Sequence, residues 1–210
     1  MSSRLIELFQ DIQILNKIKG KLPYLFLLAE LESSRAGRIG MEVGSLREKI
    51  LIALLIYKFG QENVDFKLPI TEPEVDVKLF GAPISIKTIT GQGSVKANWT
   101  VDAQSARAFI DSYYPKADLL LAQIQWKSKG YLYFISLEAQ NNVIKQFRKG
   151  KYLKLPKAGT NPRGVEFSKE ALFELQRKAT EKIEIEWKRP ETEVTLYEAY
   201  RRWVDYWREE

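Results

Sequence analysis

The stretch Pro73–Thr90, PEVDVKLFGAPISIKTIT, constrains this chain more than any other. Val75, Val77 and Leu79 alternate with Glu74, Asp76, Lys78 and Phe80, and Ile84, Ile86 and Ile89 alternate with Ser85, Lys87 and Thr88. Two such runs joined through the turn chemistry of Phe80-Gly81-Ala82-Pro83 predict a β-hairpin. Side chains on a strand switch faces at every residue, so Ser85 and Lys87 share a face and Asp76 meets them across the hairpin. A carboxylate and a lysine held close on rigid strands suit metal-assisted phosphodiester cleavage. The carboxylate holds Mg2+, and the lysine positions or deprotonates the attacking water, or neutralises developing charge.

Residue types narrow the chemistry. Cysteine and histidine are absent from all 210 residues. Disulfides, Cys/His zinc sites and histidine general bases are therefore excluded. A catalyst made from this chain relies on carboxylates, lysine, arginine, hydroxyls and a hard cation bound by oxygen. The formal charge of +6 suits a polyanionic partner. The apolar runs Tyr24–Leu31 and Ile50–Tyr57 are too short to span a bilayer. With no secretory signal ahead of the first helix and no cysteine, a cytoplasmic location is expected.

Ahead of the hairpin, apolar residues from Leu5 to Ile18 recur at helical spacing. They predict a helix over residues 3–19 closed by Gly20, then a second over 22–31. Residues 33–44 hold three glycines and two arginines, and two readings stand open. One is a flexible connection; the other is a loop that brings Arg35, Arg38 and Met41 close to DNA. Met41 is then either buried in the domain core or a wedge between bases. A helix should run from Ser45 to Phe59, with the all-apolar segment 50–57 burying it on most sides. Glu48 has two readings as well. Ser45-Leu46-Arg47-Glu48 matches a capping box, and the same carboxylate at the helix's charged end can face the hairpin.

Asp76 followed by Ser85-Ile86-Lys87 resembles the PD-(D/E)XK nuclease motif, with serine where the second acid would stand. With Glu48 on an apolar helix and GRIGMEVGS just before it, the chain resembles more narrowly the archaeal CGCG-cutting type II restriction endonucleases. The match is most specific over residues 35–90 and extends over roughly the whole chain. The resemblance implies an α/β fold: a restriction-endonuclease-like core of mixed sheet flanked by helices, with helical N-terminal and C-terminal additions. It implies a Mg2+-dependent homodimer that cuts both DNA strands bluntly. Asp76, Glu48 and Ile86 would be the metal ligands, and Glu48 would replace the acid missing at Ser85. A single nuclease domain over 1–210 is expected: a helical part at 1–34, the catalytic core at 35–150, and a DNA-reading loop with C-terminal helices at 151–210. Two other functions remain open: a structure-specific repair or junction nuclease, and a non-catalytic DNA-binding module, which Ser85 motivates.

The polar segment 90–99 reads either as a plain surface loop or as a lining for the DNA backbone through Gln92, Ser94, Lys96 and Asn98. Residues 102–113 predict a helix, 117–126 and 131–137 two strands, and 138–149 another helix. From Ala139 to Val165 there is no acid, while Lys145, Arg148, Lys149, Lys151, Lys154, Lys157 and Arg163 supply seven positive charges. Surfaces normally mix both signs, so this stretch is the expected footprint on DNA. Within it, Lys157, Asn161 and Arg163 sit in a turn-rich loop and suit base edges, Arg163 reading guanine. Ser168 should cap a helix, and 182–187 should form an edge strand. A last helix after Thr195 should place Tyr197, Tyr200, Trp203, Val204 and Trp207 on roughly one face, packed onto the domain's own core in the favoured reading and against a second subunit in the other.

Overall fold

A stripe of buried side chains at i, i+4 spacing decides the N-terminal part. The computed structural model describes residues 4–35, 38–40, 42–68, 74–98, 103–147, 149–155, 164–189, 194–195 and 197–208. After a 3-10 turn at Arg4–Ile6 and the short α1 (Glu7–Gln10), the long helix α2 runs unbroken over Ile12–Ser33. It passes straight through Gly20, where the sequence predicts a break, and carries Pro23 inside it. Ile14, Ile18, Leu22 and Phe26 all face inward, and each contributes roughly 1.5–3 kcal/mol on burial. Together they outweigh the ~1 kcal/mol of a helical glycine and the ~3 kcal/mol of a helical proline.

Residues 33–35 and 38–40 are not an open loop. β1 (Ser34–Arg35) and β2 (Arg38–Ile39) pair antiparallel, and the Gly40 N–H returns to the Ser33 carbonyl at 2.9 Å. A Cβ on Gly40 would stand 2.6 Å from that carbonyl, so this return needs glycine. Helix α3 (Val43–Phe59) then starts two residues before Ser45. Ser45 and Glu48 consequently lie inside the helix, and the expected capping box does not form. Burial is also narrower than expected. Arg47, Leu51 and Leu55 face inward, whereas Ala53 and Tyr57 are exposed.

After a 3-10 turn at Gln61–Asn63, β3 (Val64–Asp65), β4 (Val77–Leu79) and β5 (Ala82–Thr90) make up one edge of the main sheet. The β4–β5 turn is Phe80-Gly81 alone, both with positive φ (49° and 79°), which is the two-residue hairpin geometry matched to strand twist. Ala82 and Pro83 therefore belong to β5 and not to the turn. Pro83 is tolerated because pairing on its other side begins only at Ile84, so no neighbour needs the N–H it lacks.

Further along come β6 (Lys96–Asn98), α4 (Ala103–Ser112), β7 (Asp118–Ile124), β8 (Lys129–Ile135) and α5 (Leu137–Phe147). They are followed by α6 (Lys149–Tyr152), β9 (Leu153–Lys154), β10 (Val165–Phe167) and α7 (Lys169–Arg177). The chain ends with β11 (Glu181–Glu186) and α8 (Tyr197–Arg208). The main sheet has the order β11-β8-β7-β5-β4-β3, with β5 and β7 parallel and the other neighbours antiparallel. Alternation along its strands makes two cores. Ile84, Ile86, Leu120 and Ala122 join α1, α2 and α3 on one face. Ile89, Leu119 and Leu121 join Tyr113, Tyr152 and Leu175 on the other. A small sheet, β6-β10-β9, lies on this second side.

Ser168 caps α7 by accepting the Ala171 N–H at 3.0 Å, and β11 is the edge strand expected from residues 182–187. Helix α8 departs from expectation. It rests on α2, but Tyr197, Tyr200, Tyr206 and Trp207 are exposed, Trp207 at 90%. These four aromatic side chains are not packed into the domain core, and the Trp203 side chain lies outside the described residues.

Candidate active site

The main sheet opens at Asp76. Here the chain joins β4, while β5 runs on beside β7. The Asp76 N–H donates to the Ile84 carbonyl at 3.0 Å, which fixes the backbone just ahead of the strand. Since N–H and C=O groups alternate sides along a strand, Ile84 and Ile86 both turn theirs toward β4. With β4 beginning only at Val77, the Ile86 N–H finds the Asp76 carboxylate instead, donating to Oδ2 at 2.6 Å. Lys87 Nζ donates to the same oxygen at 2.9 Å and the Ser85 hydroxyl at 3.3 Å. All three donors converge on Oδ2.

Glu48 completes the corner from α3. Burial pushes its carboxyl up to about 7, opposed by the Lys87 ammonium and reinforced by the negative charge of Asp76. The structure thus brings Glu48, Asp76, Ser85, Ile86 and Lys87 together. A further acid escapes the sequence reading, which counted Glu74 only as one of the alternating polar residues. Glu74 has a left-handed backbone (φ 76°) and is also pushed up to about 7 by burial, with Lys116 and Lys87 pulling the other way. It lines a small cavity with Ser85, Lys87, Tyr113 and Gln140. Its spacing of two from Asp76 was the available signal.

The donors suit a hard cation. Asp76 Oδ1, the Glu48 carboxylate and the Ile86 carbonyl are all oxygens, and two carboxylates forced close together in a half-buried place gain from a cation between them. Among the described residues no three acidic side chains gather into one cluster. Water or substrate oxygens would therefore fill the remaining positions, the usual habit of Mg2+.

The residues expected to touch DNA divide into two groups. Arg38, Gln92 and Ser94 are exposed, Gln92 beside an open groove with Gln123, Gln125 and Gln176. Lys96 and Asn98 lie on β6, not in a loop. On the small sheet, Glu166 accepts the Ser94 hydroxyl at 3.0 Å and pairs with Lys154 at 3.3 Å. Its charge also acts on Lys96, whose pKa burial lowers. Glu166 follows the acid-free stretch directly, so part of the expected positive footprint is neutralised from within the fold. Met41, Lys157, Asn161 and Arg163 lie outside the described residues, as do the side chains of Arg35 and Asn98.

The chain matches the family described as "Restriction endonuclease ThaI" over residues 8–209. A solved structure described as a restriction endonuclease in complex with substrate DNA is 54% identical in sequence, with a TM-score of 0.87. The similarity covers 99% of this chain and 100% of that one. No curated protein matches.

Proposed function

The chain belongs to the ThaI restriction endonuclease family, and from that premise we propose how its open corner cuts DNA. The protein is a site-specific deoxyribonuclease of the type II kind. The proposal is that one nuclease domain spanning 1–210 acts as a cytoplasmic homodimer on CGCG, leaving blunt ends, with Mg2+ as its metal. The observation that carries this reading is the Asp76 carboxylate. It is fixed by Ile86 N–H and Lys87 on one oxygen, with a second carboxylate, Glu48, beside it.

Asp76, Glu48 and the Ile86 carbonyl would hold the metal. When bound, Mg2+ supplies charge stabilisation at the scissile phosphate and a more acidic water. Lys87 orients the attacking water and offsets charge as it builds on the phosphate, its ammonium held in place by Asp76. The Ile86 N–H keeps the Asp76 carboxylate from rotating away. Ser85 contributes a neutral hydroxyl bond to Asp76, so Glu48 provides the charge that a carboxylate at Ser85 would have brought. Arg38, Gln92, Ser94, Lys96, Asn98 and Lys154, with Arg35, Met41, Lys157, Asn161 and Arg163, are the proposed DNA contacts. The DNA held by the similar solved structure supports a duplex partner.

Digestion of a plasmid of known sequence in Mg2+, with the ends mapped, tests the reading. Discrete fragments ending bluntly inside CGCG are expected. Cuts at another sequence overturn the target, and staggered ends overturn the blunt geometry. Preference for branched DNA would favour a junction nuclease, and binding without cutting a non-catalytic module.

A further inference from the structure

Arg47, the residue before Glu48, is a buried guanidinium tied to two other parts of the fold. Its Nη2 donates to Glu30 Oε1 of α2 at 2.5 Å, and its Nη1 donates to Thr90 Oγ1, at the end of β5, at 3.0 Å. The Arg47 and Glu30 side chains are each 5% exposed. Trp126 Nε1 donates to the same Glu30 oxygen at 2.7 Å, and the Arg189 guanidinium stands 3.7 Å from the other. An ion pair this deeply buried is a poor way to gain stability, since apolar side chains of similar size pack as well. Its distinctive property is direction.

Apart from the charge interaction of Glu48 with Lys87, α3 meets β5 through apolar packing: Leu51 and Leu55 share a core with Ile84 and Ile86. Apolar packing is non-directional and does not by itself fix how far a helix has slid along a strand. The two Arg47 bonds do. By strand alternation Thr90 lies on the same face of β5 as Ile86 and Thr88, the face that α3 covers. We infer that Glu30, Arg47 and Thr90 form a clamp of positioning residues that sets α3 against β5, and so holds Glu48 in register with Asp76 and Lys87. This rests on the reading of Glu48 as part of the cleavage site.

Thr90→Val removes the acceptor at an exposed position while leaving the Arg47–Glu30 pair, and Thr90→Ser keeps the hydroxyl. Single-turnover cleavage by Thr90→Val should slow roughly ten- to hundredfold, as a small misplacement of a catalytic group does. Its DNA affinity should stay within about twofold, because many phosphate contacts carry binding. Thr90→Ser should cut at nearly the parent rate. In the metal-free protein, backbone amides of residues 47–50 should exchange with solvent faster in Thr90→Val than in Thr90→Ser. Parent-like cleavage and exchange in Thr90→Val overturn the clamp. So does equal loss of binding and cleavage, which would make Thr90 a DNA contact. Glu48→Ala, measured alongside, separates the two readings. If it cuts normally, both fall; if it is dead while Thr90→Val is parent-like, only the clamp falls.

Discussion

Asp76 and Glu166 keep nearly the same company. Asp76 accepts from Ser85 at 3.3 Å and Lys87 at 2.9 Å; Glu166 accepts from Ser94 at 3.0 Å and pairs with Lys154 at 3.3 Å. The surroundings separate them. Lys87 is 17% exposed and Lys154 41%, so water reaches the second lysine more than the first, although Asp76 at 26% is slightly more open than Glu166 at 19%. At the Asp76 corner two carboxylates face one lysine, with Glu48 destabilised as an anion and pushed up to about 7. On the small sheet one carboxylate is shared by Lys154 and the charge of Lys96. The excess of negative charge at the first place favours a divalent cation, and the excess of positive charge at the second disfavours one. On this account, desolvation and a surplus acid are what would make one lysine–carboxylate pair, and not the other, a place for a metal.

The largest expected effect breaks the comparison if it fails. Asp76→Ala, Glu48→Ala and Lys87→Ala should each lower single-turnover cleavage by roughly a thousandfold or more with folding retained. Glu166→Ala should change it only a few-fold, through altered DNA contacts. Comparable losses at both places would remove the distinction. The next effect concerns stability. Glu30→Ala strands the buried Arg47 and should cost about 3–5 kcal/mol in denaturant unfolding. Glu166→Ala should cost about 0–1 kcal/mol, because Lys154 can turn to water.

How much of this was legible depended on whether the deciding interactions were local. The β4–β5 hairpin was, because period-two alternation and Gly81 mark it, although its turn is two residues shorter than expected and β4 begins only at Val77; so was the cap at Ser168. The approach of Lys87 to Asp76 followed from the same alternation. Gly20 misled because local punctuation was outvoted by the stripe from Ile14 to Phe26, whose weight comes from partners distant in sequence. The capping box at Ser45 misled because β1 and β2 deliver the chain into α3 two residues early. Arg47 looked like one of several first-turn charges, and nothing near it in sequence announces Glu30 or Thr90. The acid-free stretch to Val165 was real, yet its first acid, Glu166, folds back onto Lys154.

A smaller effect sharpens the comparison through pH. The Glu48 carboxyl titrates at about 7 in the fold against an ordinary 4.5. A raised carboxyl pKa means that the folded state holds its proton longer than the unfolded one. The Glu48 contribution to metal-free stability should therefore be fully present below about 4.5, fall as pH rises toward about 7, and level off above it, a change on the order of 3 kcal/mol for this group. Glu48→Gln should flatten much of this slope. Glu74, also pushed up to about 7, accounts for a remainder. An unchanged slope in Glu48→Gln would mean that Glu48 is better solvated than the corner requires.

Calorimetric titration of Mn2+, which prefers the same oxygen donors as Mg2+, tests the account most directly. The parent protein and Glu166→Ala should bind Mn2+ alike, and Asp76→Ala should lose that binding while remaining folded. Full Mn2+ binding by Asp76→Ala, or its loss in Glu166→Ala, would contradict the assignment of the metal to the corner between Asp76, Glu48 and Ile86.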